Sequence, residues 1–337
     1  MKAILDRKDL HSAVREAESL GLLSRFRESE APDQGEQSFT FFRGDRVFKC
    51  PKGDTQQRLA KNARGMRREV QALEHLGRTG AIKSVAIPKI IGRGRNYNYI
   101  VESRVTGTDI GSLLESGALP EKDGAAIGEK IGHFIHEFSG AFPPETIQPI
   151  GFTSSLPFLP RELPEEVGKL FSVFGEDFYG RTVSRYIDSA EKMELLPFHG
   201  DLFYGNILYQ NEGEAGVAIT DFGDIRLGSI TTAFARLPSK EILSHAVLAY
   251  EKASGAEIDI DLLFCEKTYG SILWSDLLGD PKGIMELAPR KYSLDDCRHI
   301  AKLNKESYDA CRALLSEHGC SRPGRFDRSP AVRVAKL

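Results

Sequence analysis

The chain has 337 residues, of which 41% are hydrophobic and 28% charged, and 45 Lys and Arg against 48 Asp and Glu leave a formal charge of −3. The length suggests two folding units, and the composition is that of an ordinary globular protein. The balanced charge excludes the broad basic field of a general nucleic-acid binder, and no apolar run reaches the roughly 18 residues of a membrane span. Residues Met1 to Asp9 carry three cations and two acids with no apolar stretch after them, so no secretory signal is expected. The five cysteines are scattered, without CxxC spacing, and read as reduced thiols in a cytoplasmic protein.

In chain order, Leu10, Val14, Ala17 and Leu20 to Leu23 recur at helical spacing and predict a helix over about 8–26. A polar stretch from Glu28 to Gln37 reads as a loop or tight turn. Ser38 to Phe42 and Arg46 to Cys50 are β-prone runs joined by Arg43-Gly44-Asp45, which predicts a hairpin. Residues about 57–77 return to helical period, with Val70, Leu73 and Leu76 on one face. Ile87–Ile91 and Tyr97–Val101 read as a further strand pair around Gly92 and Gly94. From Gly107 onward the text is helical: Ile127, Ile131, Phe134, Ile135 and Phe138 mark one strong helix, and others are expected at about 165–194, 239–254, 260–279 and 293–317. The proline-rich residues 143–164 read as a long loop. The Arg/Lys-rich residues 322–337 read as a frayed terminus.

One segment carries chemistry. His199-Gly200-Asp201-Leu202-Phe203-Tyr204-Gly205-Asn206 has the pattern H-x-D-x-x-x-x-N, and Asp221-Phe222-Gly223 follows fifteen residues after Asn206. Phosphoryl transfer needs a carboxylate beside the acceptor hydroxyl and hard oxygen ligands for a divalent metal that neutralises phosphate charge. The first pattern alone arises by chance in about 4% of chains this long; with D-F-G at that distance the joint chance falls to about one in ten thousand.

These motifs resemble the catalytic loop and metal motif of the aminoglycoside phosphotransferase-like family, within the protein-kinase-like fold. His199, Gly200, Asp201, Leu202 and Asn206 match the family pattern. Phe203 stands where a second histidine is common, and Leu227 to Phe234 replaces the usual Gly-Asp-Pro text. The resemblance implies Asp201 as catalytic base, Asn206 and Asp221 as Mg²⁺ ligands, and His199 as a brace for the loop. Upstream, Val47-Phe48-Lys49 resembles the strand whose lysine contacts the α- and β-phosphates. Arg67-Arg68-Glu69-Val70 resembles the helix whose glutamate pairs with that lysine; Lys52 and Glu74 are the competitors for the two roles. Tyr99 to Gly107 resembles the hinge, where backbone groups of Glu102, Ser103 and Arg104 would meet the adenine edge. By position, Asp33 to Ser38 would be the phosphate loop.

The implied fold is α+β and bilobal, with a small antiparallel-sheet lobe (1–104), a mainly helical lobe (105–337), and the nucleotide between them. The implied reaction moves the γ-phosphoryl group of Mg-ATP, with GTP an open alternative, to a hydroxyl of a small molecule. No nucleic-acid or membrane partner is expected. Two rivals share these motifs: a protein kinase, against which no A-P-E segment follows Asp221 within about thirty residues, and a non-catalytic nucleotide binder, which would have lost the base or a ligand. The acceptor is not legible. A cationic one would want an acidic pocket, for which Glu286, Asp295 and Asp296 are candidates by position alone; a sugar, an amino alcohol or a nucleoside fits equally.

Overall fold

The computed structural model describes residues 7–23, 33–34, 38–53, 55–155, 159–160, 162–163, 165–189, 195–210, 216–237, 239–272 and 294–319. They form α1 (Arg7–Ser19), β1 (Asp33–Gln34), β2 (Ser38–Arg43), β3 (Arg46–Pro51), α2 (Gln56–Thr79), β4 (Ile90–Arg93), β5 (Ile100–Ser103), β6 (Thr108–Asp109), α3 (Ile110–Glu115), α4 (Glu121–Ala141), α5 (Pro144–Ile150) and β7 (Thr153–Ser155). There follow α6 (Glu165–Phe171), α7 (Phe178–Ser189), β8 (Leu196–Phe198), β9 (Ile207–Tyr209), β10 (Val217–Ile219), β11 (Arg226–Gly228), α8 (Ile230–Phe234), α9 (Lys240–Ser254), α10 (Ile260–Ile272) and α11 (Leu294–Glu317). The described residues fall into two compact units. The first lies within Met1–Asp109, Ala141–Phe152 and Asn206–Ile225, the second within Ile110–Gly140, Thr153–Gly205 and Arg226–Leu337.

The first unit is built on an antiparallel sheet of order β1-β2-β3-β5-β4. The expected hairpin is present: Arg43 opposes Arg46, and Gly44 turns the chain with a left-handed φ of 57° that a side chain would resist. Period-two alternation then sorts the residues of β3 and β5 onto two faces. Phe48 and Cys50 of β3, with Tyr99 and Val101, pack against Ala13, Val14 and Ala17 of α1. The Phe48 and Tyr99 rings stack at 5.3 Å. The opposite face receives Met66 and Val70 of α2 against Ile100. Lys49 and Glu102 therefore point toward α2. Helix α2 is started by the Thr55 hydroxyl, which accepts from the Arg58 N–H at 3.1 Å, and Gly80 ends it. A second, three-stranded sheet of order β10-β9-β6 completes the unit, and Ala86 bridges to β10 at Ala218.

Four expectations need correction. The helix predicted over about 8–26 ends at Ser19, where a turn with Gly21 at a left-handed φ of 67° follows. The strands predicted at 87–91 and 97–101 are displaced to 90–93 and 100–103, because Arg95–Tyr97 forms a 3-10 turn with Asn96 and Tyr97 at positive φ. Part of the predicted loop at 143–164 is helix α5, which Pro143 and Pro144 open rather than break, proline being tolerated at a first helical turn. The helix predicted at 165–194 is two helices, α6 and α7, separated by a 3-10 turn and Gly175.

The second unit is helical around the predicted apolar face of α4, where Ile127, Ile131, Phe134, Ile135 and Phe138 are all buried. That helix meets α9 at van der Waals distance through Gly128 and Gly132. A Cβ on Gly132 would lie 2.2 Å from the Ala246 carbonyl oxygen. A small mixed sheet joins the helices, with β11 antiparallel to β8 and parallel to β7. Cys50, Cys265, Cys297 and Cys311 are buried thiols, and Cys320 lies outside the described residues. Among the described residues no helix is long and apolar enough to cross a membrane.

Candidate active site

The first unit holds a buried charge cluster. Lys49 of β3 and Glu102 of β5 are diagonal neighbours on the sheet face toward α2, since Lys49 opposes Ile100 and Val47 opposes Glu102. The Lys49 ammonium lies 2.8 Å from Glu102 Oε1 and 2.7 Å from Glu69 Oε1 of α2. The expected lysine–glutamate pair is thus formed by Lys49 and Glu69. The competitors are elsewhere: Lys52 lies over the Phe39 ring and Glu74 faces Arg93 at 3.9 Å.

Glu69 also carries a second contact that its place in the sequence does not suggest. The same Oε1 accepts the Phe222 N–H at 3.2 Å, while the neighbouring Arg68 guanidinium donates to the Gly223 carbonyl at 3.0 and 3.2 Å. Two consecutive residues of α2 thereby grip the segment that carries Asp221. On the other side the Thr220 N–H donates to the Asn206 carbonyl at 3.0 Å, and the Ile219 N–H to Ala86 at 2.9 Å. Held from both sides, Asp221 adopts φ 62° and ψ 69°, a left-handed conformation that costs a side-chain-bearing residue free energy. Asn206 closes the 3-10 turn Tyr204–Asn206 and leads into β9, which returns through β10 toward Asp221.

Burial by itself disfavours the Lys49 ammonium, but Glu102, Glu69 and Asp221 outweigh it, and the pKa sits well above the usual lysine value. Burial pushes the Glu69 carboxyl up, Glu102 and Asp221 add to that, and Lys49 opposes it. Glu102 is raised by burial too, against the pull of Lys49. Among the described residues its buried Oε2 has no hydrogen-bond partner. One ammonium thus faces three carboxyl groups.

Glu102 was expected to offer its backbone to an adenine edge. What the structure adds is its side chain in the lysine cluster. The N–H of Ser103 donates to the Lys89 carbonyl at 2.8 Å, and that of Arg104 to the Asp45 carbonyl at 2.7 Å. Of the candidate phosphate loop, Asp33 and Gln34 form β1 and Ser38 opens β2, while Gly35, Glu36 and Gln37 lie outside the described residues.

The second unit holds Asp201. Strand β8 delivers the chain to His199, which is 1% exposed and lies edge-on to Phe134 at 6.3 Å. The His199 Nδ1 accepts the Asp201 N–H at 3.3 Å. Arg236, just beyond α8, donates through Nη1 to Asp201 Oδ1. The motifs did not single out Arg236, which lies 35 positions from Asp201 in the chain. Phe203 and Tyr204 follow on the same loop with exposed rings. Among the described residues no three or more His, Cys, Asp or Glu are grouped to cage a metal.

The phosphotransferase enzyme family (APH) matches residues 31–260. The chain belongs to that family, and its fold is the α+β, kinase-like one of the solved aminoglycoside phosphotransferases. Aminoglycoside 2'-phosphotransferase-IIIa, solved as its GDP complex, aligns with a TM-score of 0.59 at 18% identity, covering 88% of this chain and 98% of the other. APH(2")-IIa, solved with streptomycin and ATP, gives 0.53 at 15% identity over 87% and 97% of the two chains. APH(2")-Ib, bound to ADP, gives 0.53 at 15% over 90% and 99%. At such identities the likeness is one of fold. No curated protein sequence matches the chain.

Proposed function

We propose that this protein transfers the γ-phosphoryl group of Mg-ATP to a hydroxyl of a small molecule. The observation that carries the reading is the buried Lys49 held between Glu69 and Glu102, with the same Glu69 oxygen gripping the segment of Asp221. An ammonium that must meet phosphates away from water needs a counter-charge of fixed position, and this one has two.

In this reading Lys49 binds the phosphates and Glu69 positions it. Asn206 and Asp221 hold the metal. The fit rests on the donor set: an amide and a carboxylate are hard oxygen donors. Mg²⁺ uses one or two carboxylates together with phosphate and water oxygens, so no closed protein cage is required. When bound, the ion supplies neutralisation of the phosphate oxygens. Asp201 accepts the proton of the acceptor hydroxyl as that oxygen bonds to the γ-phosphorus and the bond to the departing ADP oxygen breaks. The buried His199 ring keeps the Asp201 loop in shape. The nucleotide is bound by the lobe of residues 1–104, and the acceptor by residues 105–337. Because the N–H groups of Ser103 and Arg104 are engaged, the adenine edge at Glu102 to Arg104 is met by carbonyl oxygens and side chains rather than by those two donors.

The structural neighbours were solved with GDP, ADP or ATP, one of them also with streptomycin, and these complexes support a nucleotide donor and a small acceptor. The test is mass spectrometry of a metabolite extract incubated with the protein and Mg-ATP or Mg-GTP, with Asp201→Asn as control. A metabolite that gains a phosphate only with the intact protein supports the reading. Phosphate on the protein itself, or on extract proteins, replaces it with a protein kinase. Nucleotide binding without any product replaces it with a non-catalytic binder.

A further inference from the structure

Asp201 is not alone on its unit. The Arg236 guanidinium donates to its Oδ1, and the Arg236 side chain is 48% exposed against 28% for Asp201. A guanidinium has five N–H donors, and among the described residues no other group accepts from Arg236. The half-exposed guanidinium thus stands beside the carboxylate that meets the acceptor hydroxyl, with donors to spare.

The position of Arg236 is built from beneath. Lys267 of α10 donates its ammonium to the carbonyl oxygens of Ala235 and Leu237, at 3.1 and 2.7 Å, the residues on either side of Arg236. One turn earlier the Thr232 hydroxyl donates to the buried Glu266 at 3.1 Å. A buried lysine is costly unless its donors are satisfied, so placing one under this turn holds the backbone that carries Arg236 in a single conformation. The backbone at Arg236 is therefore held in place, and its guanidinium forms an ion pair with Asp201. An oxyanion on an approaching molecule can take the N–H donors that this pair leaves over, whereas an ammonium group would have to displace the guanidinium from Asp201. Of the acidic residues considered for a cationic acceptor, Glu286 lies outside the described residues. Asp295 and Asp296 are both exposed in the first turn of α11, where Asp295 is paired with Arg298 at 2.8 Å.

We infer that Arg236 is an acceptor-binding residue, and that the acceptor is a hydroxyl compound carrying an anionic oxyacid group, a carboxylate or a phosphate. This deepens the phosphotransferase reading and rests on it. The reaction is unchanged: the acceptor hydroxyl gives its proton to Asp201 and takes the phosphoryl group, while Arg236 binds the anionic group of the same molecule.

The experiment divides a metabolite extract on ion-exchange resins into anionic, neutral and cationic pools. Each is incubated with Mg-ATP and the full chain, Arg236→Gln, Arg236→Lys or Asp201→Asn. The expected product appears in the anionic pool. With that acceptor purified, Arg236→Gln lowers kcat/KM at least tenfold, more through KM than through kcat, and Arg236→Lys restores part of the loss. Hydroxycarboxylate and phosphate-bearing acceptors are told apart by the masses of the products. A product confined to the neutral or cationic pool, or an Arg236→Gln rate equal to that of the intact chain, overturns the inference. If the intact chain makes no product in any pool, the phosphotransferase reading fails, and anion binding decides the inference by itself. A rise in unfolding midpoint with inorganic phosphate that is lost in Arg236→Gln supports it. An equal rise in both proteins, or none in either, overturns it.

Discussion

One carboxylate oxygen of Glu69 serves two donors, the Lys49 ammonium and the Phe222 N–H, so a single residue ties the phosphate-binding candidate to the metal-binding candidate. The cluster's one ammonium and three carboxyl groups respond differently to substitution. Lys49→Met leaves three carboxylates without their cation, and removing one partner of a buried pair costs about 3–5 kcal/mol. Glu102→Gln removes one of two counter-charges and relieves repulsion with Asp221, so stability is expected to change by no more than about 1 kcal/mol while the nucleotide KM rises. Urea unfolding of the two variants beside steady-state kinetics checks the contrast. A second residue-scale expectation concerns Glu266, whose carboxyl is pushed up to about 8 by burial, against the Thr231 and Thr232 hydroxyls that favour its charge. Its folded value exceeds its unfolded one of 4.5, so the stability it supports is complete below that value and lost as pH rises toward about 8. Its neighbour Lys267 is pulled down to about 8 by burial, so its penalty is fullest below that value and fades as pH rises toward 10.5. The second unit should be least stable near the point where the two windows meet. Glu266→Gln should flatten the acidic arm by a few kcal/mol, read as denaturant midpoints at mildly acidic and mildly alkaline pH.

At the scale of elements, helix α4 is recognised in the sequence by its apolar period, but its glycines are not explained by it. Gly128 and Gly132 bring α4 against α9 so closely that a Cβ at Gly132 would meet the Ala246 carbonyl oxygen at 2.2 Å and the Ala249 Cβ at 2.8 Å. Gly140, on the same helix, has nothing within 4 Å. Gly132→Ala should therefore destabilise by about 1–3 kcal/mol through overpacking, and Gly140→Ala should be neutral or stabilise by up to about 1 kcal/mol through helix propensity. Thermal unfolding of the two single variants separates close approach from a general glycine effect. Helix α2 makes the complementary point. Its Arg68 and Glu69 are adjacent in sequence and both reach the segment after β10, at Gly223 and Phe222. Any loosening of α2 would release both the Lys49 pair and the segment that carries Asp221.

For the whole molecule, the family match spans residues 31–260 and so includes parts of both units. If the proposed function holds, Mg-ATP binds the native chain and not the unfolded one. A hundredfold excess over Kd then adds about 2.7 kcal/mol of stability and raises Tm by several degrees. Chelation of magnesium should abolish most of that rise, and so should Asp221→Asn; a Tm that ignores Mg-ATP would count against nucleotide binding.

The elements that repeat a short period were legible before folding was considered: the hairpin at Gly44, the apolar face of α4, and α2 within two residues at either end. The sequence also singles out Lys49, Glu69, Asp201, Asn206 and Asp221 as candidates, because they stand in motifs of tight spacing or on strands and helices of readable pattern, and the structure forms the pair between Lys49 and Glu69. The boundaries around Asn96 and Pro144 were not legible, since a left-handed turn residue and a proline-started helix look like ordinary breakers in the text. Tertiary structure alone decided three things. It turned the Glu102 side chain onto Lys49, which follows from the register of β3 against β5. It gave Glu69 its second donor, 153 positions away in the chain. It set Arg236 on Asp201 and Lys267 beneath Arg236. In each case the partners are brought together by packing between elements, and neither spacing nor composition carries a signal of which distant residues packing will join.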